Sequence, residues 1–299
     1  MTGFLYQGLS LISRRVLDIG GWRGAILSVM DWIYLVYVYV ALIGLAVGSF
    51  LNVVILRYHS GRLISGRSFC TSCGRKLAWY DLVPVFSFVF LRGRCGTCRA
   101  RISWQYPLVE LLTASVFVLA VAQFTQGFPG TERWLLLATQ LLCWPLLIII
   151  CVYDFRHKII PDALAYGFAG IALAFRLTDT FSSGLTARAW ADLAAGPILF
   201  IPFFLLWFLS RGRVMGLGDG KLAVGMGWLL GLGGGISAIL FGFWSGALVG
   251  LVLIALRRLH LARAVITMKS EIPFGPFLIA GVLAVSFFGF SVFKLFPLL

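Results

Sequence analysis

The composition of this chain of 299 residues excludes a water-soluble globular protein. Hydrophobic residues make up 60% of the chain and charged residues only 12%, and the mean hydropathy is +0.96. Soluble domains are roughly half apolar and about a quarter charged, so most of this chain must lie in a lipid bilayer. We therefore attribute the net charge of +14 to basic cytosolic loops that face anionic headgroups, and we expect no nucleic-acid partner.

Apolar runs of about 20 residues are candidate membrane spans, and the chain contains eight of them. They predict an all-α polytopic membrane protein with about eight transmembrane helices. In chain order the runs are Trp32–Leu56, Pro107–Phe124, Trp134–Tyr153, Ile159–Phe175, Trp190–Ser210, Leu222–Leu232, Ile236–Leu256 and Pro276–Phe293. The sixth run is short and rich in glycine, so its ends are the least defined. Residues 1–31 form an N-terminal extension that lacks the features of a signal peptide.

Basic residues are concentrated in alternate connections between these runs. Residues 57–104, 154–158, 211–221 and 257–272 hold most of the 25 Lys and Arg residues. The positive-inside rule places these loops in the cytosol and both termini on the outer side. The sequence thus divides into the extension, a first helix at 32–56, a cytosolic loop domain at 57–106 and a transmembrane core at 107–299.

The loop domain contains two C-x-x-C pairs, Cys70/Cys73 and Cys95/Cys98, with 21 residues between them. Four thiolates at this spacing are typical of a structural zinc site. Disulfides are disfavoured in the reducing cytosol, and four cysteine ligands leave no open position for a catalytic zinc. We therefore predict a zinc-binding loop domain with four cysteine ligands between the first and second helices.

Two aspartates lie at the predicted cytosolic ends of spans. Asp154 ends the third span, and Asp219 lies just before the sixth. Two carboxyl groups at one depth suit an aspartic protease, in which one takes a proton from water while the other donates to the scissile carbonyl. The alternative is that each aspartate forms an interfacial ion pair with a neighbouring cation, Arg156 or Lys221.

Several residues beside these aspartates are candidate supporting residues. Gly216 and Gly218 precede Asp219, where they allow close approach of a backbone and a positive φ. Asp162 follows Pro161 at the start of the fourth span. It either orients the two aspartates or caps the N-terminus of that helix.

An ordered set of motifs resembles the type IV prepilin leader peptidase family, the GxGD intramembrane aspartic peptidases that also act as N-methyltransferases. The set extends over about residues 42–285 and includes the double C-x-x-C. Its other members are Gly48–Val53 with Arg57, Arg92–Cys95 with Ile102–Glu110, Asp154 to Asp162, Gly216-x-Gly218-Asp219 and Pro273–Phe277.

This resemblance implies that Asp154 and Asp219 are the catalytic pair. The enzyme would remove a basic leader from prepilins and pseudopilins at the cytosolic face of the bacterial inner membrane. It would then methylate the new N-terminal residue with S-adenosylmethionine, for a type IV pilus or a type II secretion system. Glu110 would support methyl transfer or order the loop, or it forms an ion pair with Arg57 or Arg101.

Two other classes of protein fit the sequence less well than a peptidase. A transporter or channel would carry its acids near the middle of the membrane and show inverted repeats, and the sequence shows neither. An assembly scaffold would use the cysteine loop as a docking module, but it would leave the two aspartates unexplained.

Overall fold

The computed structural model describes residues 22–58, 66–126, 131–184, 186–258 and 273–295. Residues 1–21 of the expected extension lie outside them. The described chain is helical apart from a small loop unit, which confirms the all-α prediction. The helices are α1 (Trp22–Arg57), a 3₁₀ turn (Trp79–Leu82), α2 (Phe86–Phe90), α3 (Gln105–Thr125), α4 (Thr131–His157), α5 (Asp162–Ser183), α6 (Ala187–Ser210), α7 (Leu217–Arg258), α8 (Gly275–Phe288) and α9 (Val292–Leu295).

Five of the described helices are long and apolar enough to cross a membrane: α1, α3, α4, α6 and α7. Helices α5 and α8 occupy two further predicted runs without being among these five, and α8 has only 14 residues. The structure therefore supports a multi-pass membrane protein with five candidate spans among the described residues. It does not show the eight transmembrane helices that the sequence predicted.

The sixth and seventh predicted runs form a single helix, α7, of 42 residues. A straight helix of this length would extend about 63 Å, roughly twice the thickness of the hydrocarbon core. Helix α7 is broken at Gly231, where φ is 73° and ψ is 176°. Gly231 begins the Gly231–Gly235 cluster, and its positive φ is a conformation that glycine adopts readily.

Two charged side chains satisfy the backbone groups that this break exposes. The Arg176 guanidinium, on α5, donates to the Trp228 carbonyl oxygen (2.9 Å) before the break. The Asp192 carboxylate, on α6, accepts from the Leu232 N–H (2.8 Å) after it. A cation at carbonyl groups and an anion at N–H groups are the charges that helix ends favour. A Cβ on Gly231 would lie 2.5 Å from the Asp192 carboxylate, so this position requires glycine. The sequence pattern indicated no role for either charge.

Helix α4 joins two hydrophobic clusters. Toward α1 and α3, its residues pack against Leu51, Ile55 and Val109. Toward α5, α6, α7 and α8, other α4 residues share a core whose members include Trp144, Leu147, Phe168, Leu222, Met226 and Leu278. Because both clusters hold α4, the position of Asp154 near its end is fixed from two sides.

Helices α1 and α3 approach each other closely along a small-residue face. A Cβ on Gly44 would lie 2.6 Å from the Ala114 Cα, and a Cβ on Gly48 would lie 2.6 Å from the Glu110 Cα. Glycines four residues apart are a common way to bring two membrane helices into contact. This contact fixes Glu110 against α1, below the cysteine-containing loop unit.

Candidate active site and metal centre

Asp154 is buried, with 5% of its surface exposed, although it lies near the end of a predicted span. Its Oδ2 accepts a hydrogen bond from the Gly275 N–H (3.0 Å) at the start of α8. A Cβ on Gly275 would lie only 2.8 Å from the same oxygen. The glycine therefore lets the backbone reach the carboxylate, and this contact links the third predicted span to the C-terminal Pro273–Phe277 motif.

Asp219 lies in the first turn of α7, within electrostatic interaction range of Asp154. Ile160 packs against a residue beside each aspartate: Gly218, which precedes Asp219, and Gly275, which donates to Asp154. A Cβ on Gly218 would lie 3.0 Å from the Ile160 Cβ, and a Cβ on Gly275 would lie 3.4 Å from the Ile160 Cδ1. The structure thus brings the two predicted aspartates together. Tight packing at Gly218 agrees with the expected close approach.

The expected positive φ is not observed at the predicted glycines. Neither Gly216 nor Gly218 is among the described residues with positive φ. A Cβ on Gly216 would have only the Gly218 backbone nitrogen near it, at 3.9 Å. Among the described residues, the space around Gly216 is therefore open, whereas Gly218 is required by packing.

Asp162 forms an ion pair with Lys221, and their Oδ1 and Nζ atoms are 2.7 Å apart. The Lys221 ammonium also lies over the Tyr166 ring, 5.3 Å from its centroid. This lysine was the cation that the alternative interpretation paired with Asp219. Its contact with Asp162 ties the first turn of α5 to the first turn of α7, beside Asp219.

Glu110 contacts the loop unit, as the loop-ordering interpretation requires. It is buried, with 6% of its surface exposed, and its Oε2 accepts from the Val85 N–H (2.8 Å). Val85 has a φ of 61°, which is unusual for a β-branched residue. Glu110 therefore anchors the loop unit to α3 at a residue with an unusual backbone conformation.

The four predicted metal ligands form one cluster in the loop unit. The sulfur atoms of Cys70, Cys73, Cys95 and Cys98 all lie within 4.8 Å of one another, and all are free thiols. The Cys70 and Cys98 sulfurs are 3.8 Å apart. A tetrahedral site with Zn–S bonds of about 2.3 Å has sulfur–sulfur edges of about 3.8 Å. The donor set and its spacing therefore fit a four-coordinate metal ion.

Each cysteine pair occupies the same backbone turn, an internal repeat that sequence inspection missed. The N–H four residues after the first cysteine donates to the carbonyl of that cysteine, from Gly74 to Cys70 (2.9 Å) and from Arg99 to Cys95 (3.0 Å). Both donors have positive φ, 71° and 58°. The residue with the left-handed conformation is a glycine in the first turn and an arginine in the second.

The turns stabilise thiolates, the form of cysteine that binds metal. The backbone N–H of Cys73 lowers the pKa of Cys70. In the second turn, the backbone N–H of Cys98 lowers the pKa of Cys95 to about 6. One cysteine of each pair is thus prepared as an anionic ligand by its own loop.

These features define the class of the protein: a multi-pass helical membrane protein with two adjacent carboxyl groups at helix ends and a four-cysteine cluster between its first two spans. Comparison with known proteins agrees with this class. Residues 42–124 match the Bacterial Peptidase A24 N-terminal domain, and residues 141–251 match the Type IV leader peptidase family. No solved structure gives a significant match.

Several curated relatives are similar over most of this chain. A protein of Aeromonas hydrophila is 34% identical over 281 residues, 85% of this chain and 91% of the relative. One of Dickeya chrysanthemi is 30% identical over 263 residues (79% and 87%), and one of Myxococcus xanthus is 34% identical over 221 (73% and 63%). Each relative is named a prepilin leader peptidase/N-methyltransferase. The chain belongs to the type IV leader peptidase family.

Proposed function

We propose that this protein is a bacterial inner-membrane aspartic endopeptidase that removes the leader from type IV prepilins and pseudopilins and N-methylates the new N-terminus. The observation that carries the peptidase activity is the approach of Asp154 and Asp219. They are 65 residues apart in the sequence, yet they lie in neighbouring helix ends that pack around Ile160.

Cleavage requires the two carboxyl groups to differ in protonation. Two close carboxylates share a proton, because both cannot easily be ionised at once. The ionised group accepts a proton from the attacking water, and the protonated group donates one to the carbonyl oxygen of the scissile bond. The Gly275 N–H holds one Asp154 oxygen in place, so the other oxygen stays available for this chemistry.

The substrate segment has space beside the two aspartates. Gly216 carries no side chain and has open space around it, so an extended peptide can approach Asp219 from that side. The apolar helix of a prepilin would pack against the spans through close helix–helix contact. The leader would remain on the cytosolic side, and the basic loops support an active site at that face.

The proposed topology has eight spans in four domains. The two halves of α7 on either side of Gly231 would cross separately, and α5 and α8 would complete the set. The domains are the extension 1–31, the first helix 32–56, the loop domain 57–106 and the transmembrane core 107–299. The bend at Gly231 supports this topology, since it allows the chain to change direction within α7.

The four-cysteine cluster would hold a structural zinc ion through Cys70, Cys73, Cys95 and Cys98. Zinc would fix the loop domain as a small folded unit, and with four protein ligands it would take no part in cleavage.

The names of the relatives support the methyltransferase activity. S-Adenosylmethionine would supply the methyl group, which the new N-terminal amine accepts as it loses a proton and the carbon–sulfur bond breaks.

Mass spectrometry of a prepilin incubated with the purified protein and S-adenosylmethionine tests both activities. The product should lack its leader and carry one additional methyl group at the new N-terminus. An intact prepilin would contradict the peptidase activity, and a shortened but unmethylated product would contradict the methyltransferase activity.

A further inference from the structure

A cavity of about 450 Å³ lies between the loop unit and the adjacent ends of α1, α3 and α4. Neither aspartate of the proposed catalytic pair lines it. Sites for small-molecule ligands and cofactors commonly have volumes of about 300–1,000 Å³. The cavity is therefore large enough for a nucleoside-sized molecule, and the cleavage reaction gives it no function.

The cavity wall combines an apolar side with a charged side. Phe69, Phe88 and Leu91 line it from the loop unit, and Phe88 is supported by the Trp104 ring at 4.9 Å between centroids. Aromatic faces of this kind accept a planar base by stacking. The charged lining residues are Arg57, Arg75, Arg101, Arg156, Asp81 and Glu110.

The two acids in this wall differ in their partners. Asp81 forms an ion pair with Arg75 (2.8 Å) and accepts from the Ala78 N–H (2.9 Å). Glu110, in contrast, has neutral partners within the described chain: the Val85 N–H and the Ser49 hydroxyl. An ionised carboxylate has about four acceptor sites, so Glu110 retains capacity to face a cation in the cavity.

The basic side of the wall also has an unused donor. The Arg75 Nε is buried and has no hydrogen-bond partner among the described residues. Arg101 and Arg156 contribute further guanidinium groups, which recognise carboxylates well because of their planar donor geometry. The cavity thus offers an aromatic surface, donors for an anion and a buried acceptor for a cation.

We propose that this cavity binds S-adenosylmethionine, an assignment that rests on the methyltransferase half of the proposed function. The adenine would stack against the aromatic wall, the arginines would bind the amino-acid carboxylate, and Glu110 would face the positively charged sulfonium group. An anionic lipid headgroup would satisfy the arginines as well, but it would lie against the Glu110 carboxylate. A ligand that carries both a carboxylate and a cation contacts both kinds of group, so the lining fits the adenosyl ligand better.

The cavity and the two aspartates lie at the same end of α4. Arg156 lines the cavity and lies two residues after Asp154 on the same helix. Because residues two positions apart do not share a helix face, the new N-terminus would pass around the end of α4 to reach a donor bound there.

Direct binding to the full-length protein in nanodiscs tests this assignment without reference to activity. Titration with S-adenosylmethionine should be compared for the wild type, Glu110→Gln and Arg101→Gln. Gln keeps an oxygen for the Val85 N–H but removes the charge, so Kd should rise by about 10-fold to 100-fold, as expected for a lost charge-assisted contact. Ultraviolet crosslinking of labelled ligand should mark a peptide between residues 66 and 106.

Glu132→Gln is the matched control, because this exposed acid lies in the first turn of α4, at the opposite end of the helix. Retained zinc in each variant shows that the loop unit is folded. Unchanged Kd in both cavity variants, crosslinks confined to other segments, or displacement of the ligand by anionic lipid would each overturn the site while leaving the methyltransferase intact. No binding to the wild type would instead contradict the methyltransferase function itself.

Discussion

Replacing Gly275 with alanine tests whether the geometry of Asp154 controls cleavage. The new Cβ would lie 2.8 Å from the Asp154 Oδ2 and 3.4 Å from the Ile160 Cδ1. Ordinary contacts of a Cβ begin near 3.4 Å, so the carboxylate must move by several tenths of an ångström. The 3.0 Å hydrogen bond from the Gly275 N–H would then be lost or distorted.

The magnitude follows from the kind of contact that is lost. A hydrogen bond to a charged group contributes about 1.5–3 kcal/mol, which corresponds to about a 10-fold to 100-fold decrease in kcat/KM if the bond acts in the transition state. Cleavage should be followed by gel shift of a prepilin in detergent. Because the charge of Asp154 is untouched, this loss would report on its position alone.

Gly250→Ala is the control for this experiment. Gly250 lies near the C-terminal end of α7, and a Cβ there would meet no atom within 4 Å. We expect this variant to cleave at the wild-type rate and to melt at a similar temperature. If Gly275→Ala also cleaves within about twofold of wild type, a difference worth only about 0.4 kcal/mol, the hydrogen bond does not position the catalytic carboxylate.

Three further predictions concern the metal, the thiols and the break in α7. Elemental analysis should find about one zinc per chain, as expected for a closed four-ligand site, and Cys70→Ser should lower this content; a zinc-free wild type would contradict the site. In metal-free protein, alkylation of Cys95 should increase as the pH rises through about 6, and this residue should be almost entirely thiolate at pH ~8. The Ala100 N–H lowers the pKa of Cys98, but burial and the neighbouring thiols raise it to about 11, so Cys98 should be alkylated slowly. Equal alkylation rates for Cys95 and Cys98 would contradict these pKa values. Arg176→Met should reduce the free energy of unfolding by about 1–3 kcal/mol, since it leaves the Trp228 and Leu229 carbonyl groups without their donor. Thr178→Ala on the exposed side of α5 should have little effect, and equal stability of the two variants in denaturant titrations would contradict the proposed support of the break.

The sequence was sufficient to predict an all-α membrane chain and the grouping of four cysteines, because these depend on local patterns. Apolar runs mark spans through their length, and two C-x-x-C pairs define four ligands before any folding is known. Asp154 and Asp219 could be selected for a related reason: the chain has only 11 acids, and few of them lie at the ends of spans.

Contacts between distant segments could not be predicted in the same way. The Gly275 N–H bond to Asp154 joins residues 121 positions apart, and nothing in either local sequence specifies the partner. The ion pair of Asp162 with Lys221 likewise replaces the neighbouring pairing that the sequence suggested. Both contacts arise because α5 and α8 pack against α4, and α7 packs against α5 and α8.

The break in α7 shows a signal that was present but not used. Arg176 and Asp192 are charged residues in or directly beside predicted apolar runs, and charges at membrane depth are costly unless they have a specific role. Their role depends on exposed backbone groups at Gly231, which only the three-dimensional structure reveals. A glycine cluster together with intramembrane charges of opposite sign therefore predicts a break in a helix whose exposed backbone groups are bonded by those charges.

The most direct test of the central claim is cleavage of a prepilin by Asp154→Asn and Asp219→Asn. Each substitution preserves the size of the side chain but removes the ionisable oxygen that general acid–base catalysis needs. Glu132→Gln serves as the control for loss of an acid outside the site. We predict that both aspartate variants insert into the membrane normally and leave the prepilin uncut, while the control cleaves it. Cleavage near the wild-type rate by either aspartate variant would contradict the assignment of these two residues as the catalytic pair.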